Sequence, residues 1–240
     1  MSPSDGLKTG GGRIEVLDAW RGVAVIAMVS WHLAWDLSTW GVFPQSGMFV
    51  QPALGIRYFI VFSFVLLSGI SCRFSRNNVR RGVQTLGCAL AVSAVTYLVG
   101  DPVLFGILHL LGCCMLLYAL VGPYMERLPG PAVAAVCLLV FALTFHIPQR
   151  VRVDVTWTWM FGFRTREFYS SDYYPLIPWG FLFFLGTVLG GYVRRMGERL
   201  SAVRCPGALC WVGRRALWIY MLHQPVLYVL TAVLTGNRPF

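Results

Sequence analysis

The sequence predicts an all-α fold: a polytopic integral membrane bundle of about seven transmembrane helices, with the N-terminus inside. Three observations predict it. Of the 240 residues, 57% are hydrophobic and only 12% charged, against about 25% charged in an average soluble domain. Mean hydropathy is +0.64. The apolar residues also fall into long blocks, where a transmembrane barrel would show alternating segments of about 10 residues.

Seven blocks are long enough, since a bilayer core of about 30 Å takes about 20 apolar helical residues to cross. They are residues 21–43, 54–72, 82–100, 103–121, 128–149, 173–193 and 216–237. Over such lengths only a helix satisfies the backbone inside lipid. Residues 1–13 are polar and Gly-rich and read as a flexible leader; residues 14–240 read as one transmembrane domain. The first apolar run reads as a retained helix, not a removed signal peptide. The loop 149–172 is rich in aromatics, which suits an interface belt, and residues 151–160 alternate enough for a short strand or interfacial segment. Gly186 and Gly190 form a small-xxx-small step, a mark of close helix packing.

The formal charge of +10 raises the question of a nucleic-acid partner. With the N-terminus in the cytosol, fourteen of the 20 cationic residues fall inside and six outside. That is the positive-inside bias, so the charge reads as topology and no nucleic acid is expected. The two Arg pairs of loop 149–172 run against the bias. The seven Cys residues lie mostly inside the spans, where Cys behaves as a small apolar residue. No His/Cys pattern has zinc-ligand spacing, so no metal is expected.

The first span concentrates the chemistry. From Arg21 to His32 is eleven residues, about three full turns, and His32 to Asp36 is one more turn. Asp18, Arg21, His32 and Asp36 thus share one stripe. Arg21 and His32 are separated by about 16 Å along the axis. Ionisable groups inside a span face a partner or an aqueous cavity. Asp36 is placed to accept a ring N–H from His32 and fix its tautomer, as the third member of a catalytic triad does. The plainer alternative makes Asp18–Arg21 an interfacial ion pair and His32 a packing contact. Read as a path, the stripe would instead suit a small-solute or proton-coupled transporter.

The run Leu17-Asp18-Ala19-Trp20-Arg21-Gly22-Val23-Ala24-Val25, with Met28-Val29 and His32 beyond it, resembles the start of the heparan-α-glucosaminide N-acetyltransferase catalytic-domain family. Further matches are the stretch from Ser171-Asp172-Tyr173-Tyr174 to Pro178-Trp179, Ile219-Tyr220-Met221-Leu222-His223-Gln224-Pro225 in the last span, and Phe105-Gly106-Ile107-Leu108-His109. The resemblance implies a membrane-bound acyltransferase. It would move an acetyl group from cytosolic acetyl-CoA to an extracytoplasmic amino sugar, other glycan or small acceptor. By position, His32 resembles the active-site His, as general base or as a covalent acetyl carrier, with Asp36 beside it. Asp18, Arg21 and His109 fall on the donor side; Asp172, Trp179, His223 and Gln224 fall on the acceptor side. From the residues alone, Asp172 is also a candidate N-cap for the sixth span, and Pro225 is expected to kink the last one. The expected setting is a bacterial-type plasma membrane, with the lipid bilayer as the first partner and an oligomer left open.

Overall fold

The computed structural model describes residues 8, 9 and 12–236. Most of the leader expected at 1–13 lies outside them. Among the described residues ten helices follow in order: α1 Glu15–Thr39, α2 Ala53–Cys72, α3 Asn78–Leu98, α4 Ile107–Met125, α5 Gly130–Thr144, α6 Ile147–Arg150, α7 Leu176–Arg195, α8 Gly197–Ser201, α9 Gly207–Arg214 and α10 Ala216–Thr235. Six are long and apolar enough to cross a membrane: α1, α2, α4, α5 continued into α6, α7 and α10. The stretch 130–150 decides the environment. Its 18-residue apolar window has a mean hydropathy of 2.1, yet only 6% of that window is buried within the protein. A surface so apolar needs lipid around it. The chain is an integral membrane protein.

The third expected span, 82–100, is α3, which is not among the six. Its polar residues are concentrated at its start, with Asn77 capping it by accepting from the Arg80 N–H at 2.8 Å. Farther on, Leu90, Tyr97 and Leu98 are exposed. The segment 151–160 is not a strand: it holds an isolated bridge at Arg152 and the start of a 3-10 turn, Thr156–Phe161.

The chain divides into two compact units. In the first, residues 12–64 and 198–236, α1 packs on α9 and α10. Gly22 of the D-x-x-R-G run makes the α1–α9 approach possible, because a Cβ there would stand 2.2 Å from the Leu209 carbonyl oxygen. Gly213 answers from α9, where a Cβ would stand 1.9 Å from the Asp18 carbonyl oxygen. In the second, residues 65–197, α3 packs on α4, and α7 packs on both α4 and α5. The small-residue step of α7 meets the end of α2: Cβ atoms on Gly186 and Gly190 would strike the Leu66 and Ile70 carbonyls at 2.5 and 2.7 Å. The backbone at Ile177 is extended (φ −107°, ψ 120°), as a residue before proline prefers, so regular helix in α7 starts at Pro178. Pro225 lies inside α10, which continues through it to Thr235.

Candidate functional site

In the first unit a ladder ties α1 to α10. The rings of His32 and His223 meet edge to face with centroids 4.7 Å apart. One turn on, Asp36 Oδ1 accepts from Gln224 Nε2 at 2.9 Å. One turn further, Trp40 Nε1 donates to Thr231 Oγ1 at 3.1 Å. The triad-like expectation for Asp36 is therefore corrected. No hydrogen bond joins it to His32 among the described residues, because its carboxylate turns to the facing helix.

The hydrogen bonds of this cluster fix the character of its open atoms. His223 Nδ1 lies 2.6 Å from the Tyr220 carbonyl oxygen, an acceptor only, so Nδ1 carries the proton and Nε2 is bare. Gln224 spends its N–H on Asp36, which leaves its oxygen. His223 Nε2, Gln224 Oε1 and Asp36 Oδ2 are all buried with no partner among the described residues. Three acceptors without donors in one buried cluster are costly, and they match a ligand rich in N–H or O–H groups. Arg57 on α2 brings a positive charge that acts on the His32 ring.

The other end of the stripe is structural in its contacts. Asp18 is fully buried and accepts from Arg13 Nε and Nη2 at 2.5 and 3.2 Å. Arg21 Nη1 stands 3.5 Å away. This arrangement locks the start of α1 where α9 crosses it. Arg13 was missed in the sequence because it lies before the apolar run.

The second unit brings together His109, Asp172 and Trp179. Asp172 caps a helix, but not its own: Oδ2 accepts from the Ile107 N–H of α4 at 3.1 Å. Gly106 leaves room for it, since a Cβ there would lie 2.5 Å from that oxygen. The segments around them are stitched by Tyr174 N–H to Phe105 O at 2.9 Å and Ser171 N–H to Pro102 O at 3.1 Å. His109, in the first turn of the capped helix, stacks on Phe105 with centroids 5.6 Å apart. Its Nε2 lies 3.2 Å from Ser93 Oγ. Trp179 is buried against Phe141, Phe145 and Tyr174, which makes it a packing centre. A polar cavity of about 280 Å³ opens beside Arg73, Asn78, Tyr118, Glu126 and Arg194. There Arg73 pairs with Glu126 and donates to the Tyr118 hydroxyl at 3.2 Å.

The four motif stretches thus meet two by two: 17–36 with 219–225 in one unit, 105–109 with 171–179 in the other. The helices long and apolar enough to cross a membrane, with the His32–His223 pair held between two of them, define the class: a helical integral membrane protein. The sequence model described as "Heparan-alpha-glucosaminide N-acetyltransferase, catalytic" matches residues 13–225, and the chain belongs to that family. No curated protein and no solved structure matches it significantly.

Proposed function

We propose that the chain transfers an acetyl group from acetyl-CoA to an amine or hydroxyl of a small or glycan acceptor, with His32 as the reacting imidazole. The observation that carries this reading is the His32–His223 pair, set beside three buried acceptor atoms that lack donors. An acceptor amine or hydroxyl supplies those donors. His223 Nε2, bare and basic, and His32 then stand where a proton must leave the acceptor as it attacks the thioester carbonyl. Arg57 supplies positive charge as the carbonyl oxygen becomes negative. The thiolate leaves with a proton returned from the ring pair. The same rings serve a two-stage route in which His32 first carries the acetyl group.

The donor side is read at the opposite end of α1, on a cytoplasmic N-terminus and a bacterial-type plasma membrane. Arg21 and the Asp18 anchor lie there, and cations suit the phosphates of CoA.

The test is reconstitution in liposomes with acetyl-labelled acetyl-CoA and an amino-sugar acceptor. Wild type is expected to release CoA and label the acceptor, and His32→Ala to lower the rate by about 10² to 10⁴. Label transfer that survives the substitution overturns the role of His32. Solute flux without thioester cleavage overturns the transferase reading in favour of transport.

A further inference from the structure

Two arginines in the second unit stand together without a counter-ion. Arg152 and Arg164 are partners in an isolated parallel bridge, secured by the Val153 N–H to the Arg164 carbonyl at 3.0 Å. Neither makes an ion pair among the described residues. Arg152 Nη1 spends itself on the Pro148 and Val151 carbonyls at 3.3 and 2.9 Å. The Arg164 guanidinium lies 5.2 Å from the Tyr173 ring centroid, and its Nε is buried with no acceptor. Burial, and after it the charge of Arg152, lower the Arg164 pKa below its ordinary value. Holding two like charges side by side with a buried donor unspent is unfavourable unless an anion completes the group.

The location says which anion. Arg152 follows the apolar stretch Gly130–Arg150 by two residues, so it stands at the depth of lipid headgroups. Trp157, Phe161 and Tyr169 of the same loop are exposed, as aromatics of an interface belt are. These Arg residues also run against the charge bias that orients the rest of the chain, so topology does not account for them. We propose that Arg152 and Arg164 form an oxyanion subsite that takes the phosphate of a membrane lipid headgroup. Guanidinium groups suit it, since their planar forks match phosphate oxygens. A lipid held there fixes the loop that carries Asp172, and with it the cap of α4.

The test is calorimetric titration of the purified chain in neutral maltoside micelles, with dioctanoyl phosphatidylglycerol and separately with inorganic phosphate at matched ionic strength. Wild type is expected to bind the lipid, and the double variant R152Q/R164Q to bind it at least about tenfold more weakly. Arg164→Lys keeps the charge and loses the fork, so it is expected to fall between them; it also guards against a fold defect in the double variant. Equal lipid binding by wild type and the double variant overturns the subsite. Inorganic phosphate binding as tightly as the lipid overturns the headgroup assignment in favour of a soluble phosphate. Neither readout depends on acetyl transfer, so failure here and failure of the transferase reading are separate results.

Discussion

Asp36 and Gln224, 188 residues apart, are joined by a 2.9 Å hydrogen bond between α1 and α10, and each keeps one buried oxygen unpaired. Removing the carboxylate strands the amide as well. Asp36→Ala is therefore expected to destabilise the helix pair by about 1–3 kcal/mol, while Asp36→Asn keeps an oxygen for Gln224 and the fold. Thermal unfolding in detergent checks the pair; equal loss in both variants contradicts it.

The same ladder bears on topology. His32, Asp36 and Trp40 meet His223, Gln224 and Thr231 in rising order, so α1 and α10 run in the same direction. Six crossings would set them antiparallel; a seventh, by α3, sets them parallel. Single cysteines at Ser75 and Asp101, in a chain whose native cysteines are replaced, are expected to label from opposite faces of the membrane. Labelling from one face contradicts a crossing by α3.

Two glycines of α9 give a steric contrast. A Cβ at Gly213 would lie 1.9 Å from backbone, whereas one at Gly207 meets nothing within 4 Å. Gly213→Ala is expected to cost about 1–3 kcal/mol, the range of overpacking, and Gly207→Ala to leave stability almost unchanged. Melting temperatures of the two variants decide it, and a tolerated Gly213→Ala contradicts the close crossing of α1 and α9.

Asp172 is expected to behave as a cap for α4. Asp172→Ala should cost about 0.5–2 kcal/mol and speed hydrogen exchange in the first turn of α4, around His109. Faster exchange confined to the start of α7 would instead fit a local cap of its own helix.

The spans were legible because lipid imposes a coarse rule on composition; α3, expected as one of them, falls outside the six, and its first turns carry Asn78, Arg80 and Arg81. The stripe on α1 was legible from helical period alone, and it does place His32 and Asp36 on the face that meets α10. What that face meets was not legible. Period fixes which residues share a side, but the partner of Asp36 sits on a helix at the far end of the chain. Asp172 went astray for the same reason: local spacing suggests a cap for the following helix, while the segment 101–106 draws it to α4. The reason for Gly22 appears only once α9 crosses it. The resemblance named the family, and the structure supplies the pairing of its stretches.

The claim that matters most is that His32 and His223 work as one unit. A double-mutant cycle on acetyl-CoA turnover tests it, with His32→Ala, His223→Ala and the pair together assayed in liposomes. A joint role predicts that each single substitution removes most of the activity and that the double loses little more. Additive losses, or full activity in either single variant, would contradict it.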